Sequence, residues 1–357
     1  MLRQRSSPLG QRVAAWRQCT VAPGIPPAPL LRIDALTDPS LTTYVPRRPA
    51  HSEWCDARGL RHHLSVWGDP ADVDAARPPL VMLHGWMDIG ASFQFVIDAL
   101  DSDRFVVAPD LRGFGQTDGP NRADTYWFPD YLADLEALLD RTVDTRWPGL
   151  AVDLLGHSMG GNVAMLYAGI RPARVRRLIS LEGFGMPETR PAQAPGRYAQ
   201  WLDQLKTPAD RRGYPTLEAV AERLRRTNPL LRTDRARWLA ERWSCETPGR
   251  HGEAPCWHLL ADAAHKRVNP VLYRKDEVLE CWKRITAPVL WIDGDRSDVL
   301  EHWKGTYSPQ EFEARLAIVS RVERHRLSPA GHMLHHDQPE ALAERIEHFL
   351  GGPALLT

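Results

Sequence analysis

Between Leu150 and Ile170 the chain runs from an apolar stretch, Ala151-Val152-Asp153-Leu154-Leu155, through Gly156-His157-Ser158-Met159-Gly160. It then enters an Ala-, Leu- and Val-rich stretch that stops before Pro172. The pattern G-x-S-x-G by itself arises by chance in roughly one chain in eight of this length, so its setting carries the weight. The flanks predict a strand directly before and a helix directly after, which leaves room only for a sharp turn. Such a turn holds its middle residue in a strained conformation. Gly156 and Gly160 suit it because a Cβ at either flank would collide with the neighbouring strand or helix. Ser158 would then stand above a sheet at a helix N-terminus, where backbone N–H groups favour developing negative charge.

The rest of the chain repeats this alternation. Leu80–Leu83, Phe105–Ala108, Leu150–Leu155, Leu178–Leu181 and Val289–Ile292 are short apolar runs of the kind found in buried parallel strands. Ser52–Ala57 and Leu60–Trp67 read as a hairpin turning at Arg58-Gly59. Asp130–Leu139, Met159–Ile170 and Glu340–Leu350 have helical spacing. Strands separated by helices predict an α/β fold with a mostly parallel, doubly wound sheet.

Two segments depart from the pattern. Residues 186–284 are dominated by helical patterns, with Leu217, Val220 and Leu224 on one face and Trp238, Leu239 and Trp243 on another, and are expected to form a helical lid. This block holds 19 Lys+Arg against 13 Asp+Glu in a chain whose 45 Lys+Arg balance 45 Asp+Glu. The surplus reads as a solvated face, with attraction of anionic substrates as the alternative. Residues 1–50 are Arg-rich, free of acids before Asp34 and dense in Pro from Pro23 to Pro29, and are expected to be a poorly ordered extension. The core is thus expected over residues 51–185 and 285–357.

Zero net charge argues against a nucleic-acid partner, and no apolar run approaches the ~18 residues of a membrane span. Five cysteines without a C-x-x-C pair argue against a zinc ribbon or disulfide framework. A cytoplasmic enzyme is expected; oligomeric state is left open.

The four segments His84-Gly85-Trp86, Asp110-Leu111-Arg112-Gly113-Phe114-Gly115, Gly156–Gly160 and Ala330-Gly331-His332 occur in this order. In these the chain, over about residues 52–350, resembles the serine-nucleophile branch of the α/β-hydrolase-fold proteins, similar to bacterial esterases and C–C-bond hydrolases. The resemblance implies an eight-stranded sheet, Ser158 as nucleophile and His332 as its base, with oxyanion donors at the backbone N–H groups of Trp86 and Met159. Asp110 and Arg112 are then loop-shaping, and no cofactor or metal is implied. His335 and His336 are a nearby pair without an evident third ligand and read as helix-end packing.

The acid is less direct. The family's commonest form places Asp three residues after the glycine of Asp293-Gly294-Asp295-Arg296-Ser297-Asp298, and that slot holds Ser297. A serine cannot hold an imidazolium as a carboxylate does. Asp298, one residue later, is the expected acid. Glu182, at the end of the Leu178–Leu181 run, is the alternative, and Asp295 a third.

A serine in the nucleophile seat implies acyl chemistry on a small-molecule, apolar carboxylic ester or related acyl compound, through an acyl-enzyme. Hydrolysis of C–C bonds in ring-cleavage products, a cofactor-free haloperoxidase-like reaction, and a non-catalytic binding protein of the same fold are the alternatives. The aromatic residues of the 186–284 block (Tyr214, Trp238, Trp243 and Trp282 among them) suit either an apolar pocket wall or packing among the lid helices.

Overall fold

The computed structural model describes residues 43–120, 123–207, 212–249, 254–303 and 305–351. Most of the expected N-terminal extension lies outside them. Its last residues are docked: Tyr44 Oη donates to Asp98 Oδ2 at 2.6 Å, and the Arg48 N–H donates to Asp98 Oδ1 at 2.7 Å.

Strands β1 (His51–Ala57) and β2 (Leu60–Trp67) form the expected hairpin. Its two turn residues, Arg58 and Gly59, both have positive φ, the conformation whose twist matches a two-residue hairpin. β2 pairs antiparallel with β4 (Val106–Pro109). Parallel pairing then joins β4, β3 (Leu80–Leu83), β5 (Val152–His157), β6 (Val175–Leu181), β10 (Val289–Gly294) and β11 (Val322–Leu327). The eight strands lie in the order β1-β2-β4-β3-β5-β6-β10-β11.

Every residue of β3, β4, β5 and β10 is buried, as two covered faces require. Alternate side chains enter two cores. Leu80, Met82, Leu155, Ile179, Leu290 and Ile292 pack with Val96, Ile97, Leu342 and Ile346 from helices α1 (Gln94–Ala99) and α9 (Pro339–Gly351). Val81, Leu83, Leu154, Leu178, Val289 and Trp291 pack on the other side. There they meet α2 (Phe128–Leu139), α3 (Met159–Ile170), α7 (Lys275–Trp282) and α8 (Pro309–Leu316).

Between β6 and α7 the chain leaves the sheet. It forms α4 (Ala194–Leu205), β7 (Gly213–Tyr214), α5 (Leu217–Thr227), α6 (Thr233–Trp243), β8 (Ser244–Thr247) and β9 (Cys256–Leu259). Beside its helices this block holds strands that the sequence did not show, because β7, β9 and β8 build a small antiparallel sheet. Its strands of two and four residues are too short for a period-2 signal. Val220, Leu224, Trp238, Leu239 and Trp243 form one core with Ile89 and Phe95, so the block packs on the chain that follows β3. Trp238, Trp243 and Trp282 are all buried, which gives these rings the packing role. Among the described residues, no helix is long and apolar enough to cross a membrane.

Candidate active site

Ser158 sits between β5 and α3 with φ 51° and ψ −112°, a conformation costly for a residue with a Cβ. The neighbours hold it there. The Ser158 N–H donates to the Leu181 carbonyl at 2.8 Å, and its own carbonyl accepts from the Asn162 N–H at 3.0 Å. A Cβ on Gly160 would lie 2.2 Å from the Leu83 carbonyl oxygen, and one on Gly156 would lie 2.2 Å from that of Gly160. The turn closes only because both are glycine. Met159 opens α3, so its N–H has no acceptor inside the helix.

The loop after β3 lies against this turn. A Cβ on Gly85 would come within 3.3 Å of the Ser158 Cβ. His84 is fully buried, and burial lowers its pKa, leaving a neutral ring. Its Nε2 accepts from the Leu111 N–H at 2.9 Å, so the proton is on Nδ1, which donates to the Gly85 carbonyl at 2.8 Å. The Gly85–Trp86 peptide is trans, so the Trp86 N–H points opposite to that carbonyl, away from His84.

Glu182 directly follows β6 with φ 57°, one of four described non-glycine residues with positive φ, with Arg58, Met87 and Ser158. Its carboxylate is buried. Oε2 lies 3.0 Å from His332 Nδ1 and also accepts from the Ser297 hydroxyl; Oε1 accepts from the Gly294 N–H at 2.8 Å. The structure thus sets Glu182, not Asp298, against His332. Asp298 is exposed before a short helical turn, Val299–His302, and makes no side-chain capping bond there. Asp295 serves the loop that carries His332: its oxygens accept from the Ser328 hydroxyl at 2.7 Å and the Ala330 N–H at 2.9 Å. Ser297, the residue that departs from the commonest pattern, supplies a donor to the acid that stands elsewhere.

His157 is fully buried with its pKa pushed well down by burial. Its Nε2 donates to the His332 carbonyl at 2.8 Å, so the elbow fastens the backbone of the other loop. The sequence contained no signal for this bond. Asp110 is a loop clamp, as expected. It accepts from the Gly90 N–H at 2.8 Å, the Gln116 N–H at 2.9 Å and His63 Nδ1 at 2.9 Å. Burial raises its pKa, but the hydrogen bond and charge of His63 outweigh that and leave it lowered.

Two other constellations resemble functional sites. His63 Nε2 lies 2.9 Å from Ser52 Oγ, which completes a Ser–His–Asp chain with Asp110. Ser52 sits inside edge strand β1, with no helix N-terminus at its back, so the chain ties the edge strand to the Asp110 loop. Asp88, His335 and His336 bring three possible ligand atoms within 4.8 Å of one another, which supplies the third group that the sequence did not reveal. The Asp88 oxygens accept from the Ile89 N–H, Ser92 Oγ and Trp243 Nε1, with His335 Nε2 at 3.5 Å, so the buried carboxylate is met by protein donors.

This sheet order, with a strained serine between β5 and α3, is the architecture of a large hydrolase class, and comparison with known proteins places the chain within it. Residues 78–339 match the family described as alpha/beta hydrolase fold, and the chain belongs to that family. It is 29% identical over 319 residues to a serine hydrolase-like protein of Danio rerio, covering 83% of this chain and 86% of that one. It is also 29% identical over 293 residues to a 3-hydroxybutyrate-oligomer hydrolase of Cupriavidus necator, covering 80% and 91%. Among solved structures, the thioesterase domain from the curacin biosynthetic pathway superposes with a TM-score of 0.68 at 23% identity, covering 83% of this chain and 99% of that domain.

Proposed function

We propose that the protein is a serine hydrolase of carboxylic esters or related acyl compounds, with Ser158 as nucleophile, His332 as base and Glu182 as acid. The observation that carries this reading is His332 held between two elements, its Nδ1 at 3.0 Å from Glu182 Oε2 and its backbone carbonyl bonded at 2.8 Å by His157, the residue directly before the strained Ser158. Strain at two non-glycine positions of one site is the kind a fold retains where geometry matters. The names of the Cupriavidus relative and the curacin-pathway domain favour acyl cleavage.

In this mechanism Glu182 accepts a hydrogen bond from His332 Nδ1–H, which keeps the proton on Nδ1 and leaves Nε2 as the basic nitrogen. His332 takes the Ser158 Oγ proton as Oγ forms its bond to the substrate carbonyl carbon. The carbonyl π pair moves onto oxygen, and the N–H groups of Trp86 and Met159 stabilise that charge. Collapse breaks the bond to the leaving group, which takes the proton from His332. Water then attacks the acyl-enzyme by the same route and regenerates Ser158.

The test is intact-mass measurement after exposure to a fluorophosphonate. One adduct, mapped to Ser158 and absent in Ser158→Ala, is expected. Folded wild type that takes up none, before and after proteolytic nicking within residues 186–284, would overturn the reading.

A further inference from the structure

A cavity of about 190 Å³ opens beside the loop that follows His84-Gly85, with Trp86 and Met87 in its wall. Three cations line it from separate parts of the chain. Arg212 stands just before β7, Arg223 on α5, and Lys266 at the end of the turn Ala263–Lys266. Tyr214, His258, Leu259, Ala261 and Ala263 complete the wall, and no carboxylate lines it among the described residues. Two described acids close to the lining residues in the chain are engaged by other partners. The Asp262 carboxylate accepts from Tyr126 Oη at 2.8 Å and the Ala264 N–H at 2.9 Å, and Glu218 pairs with Arg237 at 3.3 Å.

Cations converging on a concave surface repel one another and raise a positive potential that draws anions into it. The sequence reading took the basic surplus of residues 186–284 as solvated surface. Three of those charges, with Arg212 and Lys266 exposed and Arg223 half-buried, line one cavity, and that cavity shares Trp86 with the candidate oxyanion loop.

We infer that this cavity receives the anionic end of the substrate, a carboxylate or phosphate group, while the carbonyl under attack lies at the Trp86 N–H. The inference rests on the serine-hydrolase reading and replaces the expected apolar acyl substrate with a charged one. A carboxylate would come from an acyl chain ending in a free acid. A phosphate would come from a phosphorylated thiol leaving group.

Two matched pairs of substrates separate these sources: mono-p-nitrophenyl glutarate against p-nitrophenyl valerate, and butyryl-coenzyme A against butyryl-N-acetylcysteamine. At low ionic strength the charged member of one pair is expected to have a kcat/KM at least tenfold above its neutral partner. Raising salt to about 0.5 M should shrink that ratio, because exposed charges are screened. The double variant Arg223→Gln/Lys266→Gln should lower the charged-to-neutral ratio tenfold or more, and Arg212→Gln should lower it in the same direction. The pair that responds identifies carboxylate or phosphate. Absence of any charge preference, or variants that slow both members of a pair alike, would overturn the inference. So would an enzyme that fluorophosphonate labels at Ser158 but that turns over none of the four, and in that case the hydrolase reading stands. A folded wild type that is neither labelled nor active overturns the hydrolase reading itself.

Discussion

Glu182 Oε2 lies 3.0 Å from His332 Nδ1, although 150 residues separate the two in the chain. The contact depends on three neighbouring elements at once. β6 leads into the strained Glu182 backbone, the turn after β10 gives Gly294 N–H and Ser297 Oγ to its carboxylate, and the loop after β11 brings His332. Glu182→Gln keeps the shape but removes the charge that stabilises an imidazolium. It is expected to lower kcat about 10³–10⁴-fold with an unchanged circular dichroism spectrum. Asp298→Asn, at an exposed position, is expected to stay within about twofold on surface-substitution grounds. Steady-state turnover of one ester by both variants decides between the two carboxylates; the reverse ranking would return the role to Asp298.

Ser297→Ala probes the same carboxylate from its other side. The hydroxyl donates to Glu182 Oε2, the oxygen that also faces His332. A hydrogen bond to a charged group contributes about 1.5–3 kcal/mol. Loss of this donor should therefore lower stability by an amount in that range, read as a shift of the urea midpoint. Ser297→Thr, which keeps the hydroxyl, should restore most of it.

The parallel sheet and the sharp turn at Ser158 were legible because each rests on a local signal: continuous apolar runs, and glycines flanking a junction of strand and helix. The carboxylate that meets His332 rests on a non-local one. Ser297 announces that the usual slot is not a carboxylate, but nothing near Glu182 in the sequence states that the turn after β10 donates to it. The bond from His157 was hidden for a related reason, since its partner is a backbone carbonyl at His332, and a carbonyl leaves no mark on sequence. Asp88 beside His335 and His336 joins segments more than two hundred residues apart. The small β7-β9-β8 sheet escaped because strands of two to four residues have no measurable period.

Acid should destabilise this fold well before its carboxylates titrate. Burial lowers the pKa of His84, His157 and His336, and pushes His265 down to about 3. In the unfolded chain these rings titrate near about 6.5. Above that pH both states are neutral and stability is unaffected. Below it the unfolded state takes up protons that the folded state refuses, so stability falls until the folded pKa is reached. Each such ring contributes a slope of about 1.4 kcal/mol per pH unit. Urea midpoints at pH 7.5, 6.5, 5.5 and 5.0 should be flat at first and then fall steeply. His265→Asn, which removes one of the rings, should make the fall shallower.

Trp243 and Trp282 offer a matched pair of indoles. Both are buried, but Trp243 Nε1 donates to Asp88 Oδ1 at 3.1 Å, while Trp282 Nε1 has no hydrogen-bond partner among the described residues. A phenylalanine at either site removes similar volume. Only at Trp243 does it also take a donor from a buried carboxylate, a loss of about 1.5–3 kcal/mol. Trp243→Phe should therefore be the more destabilising of the two by roughly that margin in chemical denaturation. Equal losses would mean that Asp88 is satisfied without the indole.

Gly160→Ala separates the elbow's geometry from its chemistry. The added Cβ would meet the Leu83 carbonyl oxygen at 2.2 Å and that of His84 at 2.6 Å. Both belong to the backbone of β3 and the start of the next loop, so neither can swing aside as a flexible side chain would. The strand and helix must separate, and overpacking of this kind costs about 1–3 kcal/mol. That separation would also draw the Trp86 N–H away from Ser158. Gly160→Ala should thus lose fluorophosphonate labelling out of proportion to its loss of stability, although Ser158, His332 and Glu182 are all retained. Labelling at the wild-type rate in a variant that has lost stability would show that the loop after β3 does not need its present distance from the nucleophile.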